Sequence, residues 1–157
     1  MRFYCRRIAL VVLSLSALVG LSAPAFCQSK PDPAGKICKN AGGVAVGGYD
    51  VVSYYADKKP ELGSNLISLK HEGAEYRFVS ALHRDQFAAN PEAYLPQYGG
   101  HCILGMGKGK SLSGDPQAWL IHKGKLYLAS SREALAAIQS DLRTAIQQAD
   151  EIWRRLY

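Results

Sequence analysis

The chain has 157 residues, with 19 Lys and Arg against 13 Asp and Glu, a formal net charge of +6 and 48% hydrophobic side chains. That length holds one domain and a short leader, and 20% charged residues are too few for a solvated disordered polymer and too many for a multi-span membrane protein. Four cysteines are too sparse for a miniprotein knitted by disulfides.

Residues 1–25 read as an export signal. Arg2, Arg6 and Arg7 give a positive start, residues 8–21 an apolar core, and Ala23-Pro24-Ala25 the small–x–small pattern of a cleavage site. The apolar core falls short of the ~20 residues that a spanning helix needs, so no stable anchor is expected after cleavage. The expected location is the periplasm of a Gram-negative cell, or otherwise the extracellular medium. Phe26 just before Cys27 suits a lipid-attachment site poorly. Without the three signal arginines, 16 basic and 13 acidic side chains remain, a net charge of +3. No Lys/Arg stripe with interleaved aromatics is left, which argues against a nucleic-acid partner and leaves another exported protein as the partner class. Cys27, Cys38 and Cys102 are disulfide candidates in an oxidising compartment; their number is odd, and the sequence does not choose among the pairings.

Residues 26–42 are polar, carry two prolines and show no period, which predicts a linker before a domain at 43–157. Residues 50–55, DVVSYY, read as a strand after the Gly47-Gly48 turn. Residues 66–70 form a second short strand candidate. Residues 74–79 alternate, with Tyr76 and Phe78 on one face and Glu75 and Arg77 on the other, and Glu72-Gly73 before them suits a hairpin turn. Ser80 suits a helix cap, residues 81–90 a helix with Leu82 and Phe87 among its apolar positions, and Asn90-Pro91 its stop. Residues 91–95 add a helical turn. Residues 105–109 read as a Gly-rich loop, and Gly114-Asp115-Pro116 as a turn. A second hairpin is predicted from 118–122 and 125–129 around Lys123-Gly124.

Residues 130–133, SSRE, read as a capping box that opens a C-terminal helix. There Leu135, Ile138, Leu142, Ala145, Ala149, Ile152 and Leu156 recur at steps of three and four, an amphipathic stripe that Ser140-Asp141 can divide in two. The predicted fold class is α+β: a small antiparallel sheet of hairpins, a short central helix and a long C-terminal amphipathic helix.

Chemistry-bearing residues are few. Gly109-Lys110-Ser111 resembles the end of a phosphate-binding loop, but Leu104 stands where that loop needs glycine. Of four histidines, His71 lies beside a turn and reads as solvated, and His122 at a strand end as half-exposed. His83 and His101 are the better ligand candidates, with Cys102 next to His101 and Met106 four residues on. Imidazole, thiolate and thioether suit Cu(I), and the first two suit zinc. Adjacent residues on an extended chain point apart, which counts against His101 and Cys102 gripping one ion together. Cys102 with His83 or His101 also supplies two parts of a Cys-His hydrolase, a remote reading because nothing in the spacing demands it. Tyr49, Tyr54, Tyr76 and Tyr98 read as core and rim packing before they read as a ligand pocket.

Gly47-Gly48-Tyr49-Asp50-Val51-Val52-Ser53-Tyr54 resembles the opening of exported YHS-domain proteins. Residues 75–80 (EYRFVS), 84–87 (RDQF), 90–94 (NPEAY), 97–102 (QYGGHC), 114–119 (GDPQAW) and 124–128 (GKLYL) continue the match over about 43–156. Metal-handling members of that family carry Phe-Cys-Ser-x-x-Cys; here Val79 stands at the first cysteine and His83 at the second. The resemblance therefore leaves two readings. The preferred one is a non-catalytic binding or structural module. The alternative is a copper or zinc accessory or sensor with His83, His101, Cys102 and Met106 as ligands.

Overall fold

The computed structural model describes residues 35–157; residues 1–25, read from the sequence as an export signal, and Cys27 lie outside the described residues. The fold is α+β, with two two-stranded antiparallel sheets, short central helices and a long helix at the C-terminus. The first sheet pairs β1 (Ser64–His71) with β2 (Ala74–Phe78), and the second pairs β3 (Asp115–His122) with β4 (Lys125–Ala129). Both hairpins turn on two residues with positive φ, Glu72-Gly73 (47° and 77°) and Lys123-Gly124 (49° and 72°). This is the turn whose twist matches that of the flanking strands. Ala74, Tyr76 and Phe78 of β2 are buried while Glu75 and Arg77 are not, the alternation expected of a half-buried strand.

The second hairpin separates two cores. Trp119, Ile121, Leu126 and Leu128 face the first, with Val51, Val52, Tyr54, Tyr76, Phe78 and Phe87. Ala118, Leu120, Tyr127 and Ala129 face the second, with Ile103, Met106, Ile138 and Ala149. Two helices supply the outer wall of that second core. They are α4 (Arg132–Ser140) and α5 (Leu142–Leu156), divided where the sequence suggested. Asp141 caps α5 by accepting from Thr144 N at 3.2 Å. Ser131, not Ser130, caps α4, accepting from Ala134 N at 3.1 Å. All of the predicted stripe but Leu156, which is exposed, enters the second core. Among the described residues no helix is long and apolar enough to cross a membrane.

Four local expectations are corrected. Residues 50–55 are not a strand: they enter a helical turn, α1 (Ser53–Ala56). Asp50 bends the chain there, because its Oδ1 accepts from Val52 N at 2.8 Å and Ser53 Oγ donates back to Asp50 O at 2.8 Å. Such local side-chain bonds outcompete β propensity. Ser80 caps α2 (Ala81–Ala89) as expected, accepting from His83 N at 3.1 Å, but Leu82 points to solvent and His83 shares the buried face with Phe87. The first part of the predicted Gly-rich loop belongs to a short helix, α3 (Ile103–Gly107), that packs its Met106 into the second core, and only Lys108-Gly109 remain a turn. Gly114-Asp115-Pro116 is no free turn either: Asp115 already pairs with Ala129.

Part of the predicted linker is packed. Cys38 is buried and its N–H donates to Gly99 O at 2.8 Å. Gly99 has φ +59°, and a Cβ there would lie 1.9 Å from Lys36 O, so only glycine lets the lead-in close on the domain. Cys38 and Cys102 are both buried and are not joined to each other, so that candidate pairing is absent. The pairings through Cys27 lie outside the described residues.

Asp50 has no exposed surface, and its carboxylate accepts from Val52 N, Val79 N and His83 Nδ1 at 2.8, 2.9 and 2.7 Å. Asp50→Ala strands three buried donors and is expected to destabilise by ~3–5 kcal/mol. Urea unfolding should show this as a lower midpoint with an unchanged slope. A loss below ~1 kcal/mol, the size of one ordinary hydrogen bond, would contradict the role given to Asp50.

Candidate functional site

The histidine that the sequence placed in solvent is the one the fold builds on. His71 ends β1 and is half-buried. Its ring meets Tyr76 and Phe87 edge-on, with centroids 6.4 and 5.7 Å away. Its Nε2 is buried with no hydrogen-bond partner. The hairpin turn puts Glu72 next in line, in a left-handed conformation (φ 47°) that directs the chain sharply away from β1. Glu92 arrives from the far end of α2, in a 3-10 turn over Pro91–Ala93 that Asn90-Pro91 starts. Phe87 docks α2 on β2 through Tyr76 and Phe78, at centroid distances of 5.0 and 5.3 Å, and that contact brings Glu92 back to the hairpin.

The result is one group of three donors. A ring nitrogen of His71 and one carboxylate oxygen each of Glu72 and Glu92 lie within 4.8 Å of one another, a set that could hold a metal ion. Both glutamates also line a cleft of about 200 Å³, with Tyr76, Tyr98 and Trp153 among its walls. Lys36 lines the same cleft. The Tyr76 hydroxyl is pushed well above the ordinary phenol range, first by burial and then by the charges of Glu72 and Glu92.

The ligands named from the sequence occupy other places. His83 Nδ1 meets Asp50 Oδ2 at 2.7 Å, and with the carboxylate accepting, that nitrogen carries the hydrogen. Its Nε2 faces Asp57 Oδ2 at 3.8 Å. His101 Nε2 donates to Gly35 O at 3.2 Å, while its Nδ1 is buried without a partner. Cys102 is 1% exposed and Met106 0%. Neither His83, His101 nor Cys102 belongs to the His/Glu/Glu group. Of the four tyrosines read as core and rim packing, Tyr54, Tyr76 and Tyr98 are buried and Tyr49 is half-buried; Tyr54 Oη donates to Pro116 O at 3.0 Å, and Tyr76 and Tyr98 also line the cleft. His122 is half-exposed, as expected.

No family model matches the chain, and no curated protein and no solved structure matches it.

The packed tyrosines fix how the fold responds to alkali. Burial raises the hydroxyl of Tyr55 to about 12 and those of Tyr54, Tyr76 and Tyr98 further. In the unfolded chain a tyrosine gives up its proton near pH ~10, before the folded protein does. Stability is therefore complete below about pH 10 and falls as pH rises toward the folded values. Urea midpoints are expected to decline steadily over about pH 10 to 12, and a constant midpoint over that window would contradict the packing.

Proposed function

We propose that this chain is a non-catalytic binding protein for a divalent cation, held by His71, Glu72 and Glu92. The observation that carries the reading is the convergence of three donors from the end of a strand, a hairpin turn and a 3-10 turn within 4.8 Å. Two further features support it. His71 Nε2 lacks a hydrogen-bond partner in a buried setting, and the two glutamates lie together on the wall of one small cleft. Glu72 and Glu92 are exposed, which gives their side chains room to close on an ion.

The donor chemistry selects the metal. One imidazole and two carboxylates suit zinc or another borderline-to-hard ion and offer nothing soft for Cu(I). Three protein ligands leave a coordination position for water or for a donor from a partner, which suits an accessory that takes up and passes on an ion. Within this proposal the chain is an exported YHS-type protein. The support for that context is the export-type start at 1–25 and the motif run over 43–156.

A second reading keeps the ion on His83, His101, Cys102 and Met106, as copper. What favours it is the unpartnered, buried Nδ1 of His101 beside Cys102.

Zn(II) titration against a competing chelator separates the two. Near-stoichiometric binding is expected, weakened by at least about tenfold in His71→Ala/Glu92→Gln and unchanged in His101→Ala/Cys102→Ser, which leaves the His83–Asp50 bond in place. Because His71 also packs on aromatic rings, Glu72→Gln/Glu92→Gln serves as the variant that leaves those ring contacts in place. Binding that survives both cluster variants and disappears with His101→Ala/Cys102→Ser would overturn the first reading in favour of the second.

A further inference from the structure

A larger cavity lies beside the second hairpin. It measures about 540 Å³ and opens between the Lys123-Gly124 turn and the first turns of α5. It shares no lining residue with the cleft at Glu72 and Glu92. Its apolar wall is Tyr127, Leu142 and Ile146. Leu142 and Ile146 are one helical turn apart on α5, and both are only half-buried although they pack against the second core. Part of each side chain is thus left facing open space rather than protein.

The rim of this apolar wall is cationic. Lys123, Lys125 and Arg143 are exposed there, with His122 beside them, and none of the three has an ion pair among the described residues. The one acid in the lining is Asp150, and its Oδ1 already accepts the Tyr98 hydroxyl at 2.9 Å. Tyr98 Oη also reaches Ile146 O at 3.4 Å, so the back of the cavity is fastened to the core. The wall is therefore fastened to the core, and the rim is a set of long, exposed cations.

We infer that this cavity binds a small amphiphilic anion, a single carboxylate or phosphate head on a short apolar chain. The apolar body fits Tyr127, Leu142 and Ile146, and the head meets Lys123, Lys125 and Arg143. The volume falls within the range of small-molecule sites, and an apolar lining with a few convergent polar groups is their ordinary composition. Arginine matches the planar, two-oxygen edge of either head, and the lysines add point charges. A bare inorganic anion leaves the wall wet, and an uncharged alcohol leaves the rim unneutralised, so neither half of the ligand suffices. This inference is independent of the metal reading.

The test is a titration of the purified chain with octanoate and octyl phosphate, both kept as monomers, followed by amide chemical shifts. Octanol and inorganic phosphate are the controls, and a metal chelator is present throughout. Saturable shifts are expected at Lys123, Gly124, Arg143 and Ile146 with either anion, and binding at least tenfold weaker for both controls. The exposed pair Lys125→Glu/Arg143→Glu should weaken binding at least tenfold and leave the unfolding midpoint unchanged. A stronger response to octyl phosphate than to octanoate would assign the head as phosphate, and the reverse as carboxylate. Equal binding of octanol, no effect of the charge reversal, shifts that map away from this cavity, or no saturable binding of either anion would each overturn the inference.

Discussion

Asp50 is wholly buried, and the three donors that its carboxylate accepts come from three separate stretches of chain: Val52 N, Val79 N and His83 Nδ1. The first bends the N-terminal segment into α1. The second fixes the exit of β2. The third anchors the first turn of α2. A charge without water is costly unless it is fully hydrogen-bonded, so these three donors are as necessary to Asp50 as Asp50 is to them. The segment that the sequence suggested as a strand is instead a knot, and the direction of α2 follows from it.

That direction matters for the site. From its cap at Ser80, α2 runs across the first hairpin with Phe87 against Tyr76 and Phe78, and ends at Asn90-Pro91. Glu92 is then returned to the tip of the hairpin, where His71 and Glu72 already stand side by side. The second hairpin plays a different part. Because both of its faces are covered, it lets one small chain carry two cores, and it leaves its Lys123-Gly124 turn free to form the rim of a separate cavity.

Much of the fold was legible because its signals are local. Alternation over 74–78, the Glu72-Gly73 and Lys123-Gly124 turns, the Ser80 cap, the break at Ser140-Asp141 and the apolar stripe of the C-terminal helices each state their structure within a few residues. Where local signals competed, the reading failed. Val51, Val52 and Tyr54 favour a strand by propensity, and the hydrogen bonds of Asp50 and Ser53 override them. Ile103 to Gly107 was hidden by its glycines, whose helix is held by Met106 in the core rather than by propensity.

The candidate site was hardly legible at all. Histidine at 71 followed by Glu-Gly reads as a turn, which it is, and nothing ties it to Glu92 until α2 is docked. His71 ends β1, and its ring lies against Tyr76 and Phe87, a contact that forms only once the hairpin and α2 are in place. His83 and His101 attracted attention by residue type and neighbours, yet one ring is bound to Asp50 and the other to Gly35. Ligand type can be read along a chain, whereas convergence of ligands is a property of packing. X-ray absorption at the zinc edge of the loaded protein tests that convergence most directly. The account predicts a shell of nitrogen and oxygen alone at about 2.0–2.2 Å, whereas a sulfur shell near ~2.3 Å would place the ion on cysteine and contradict it.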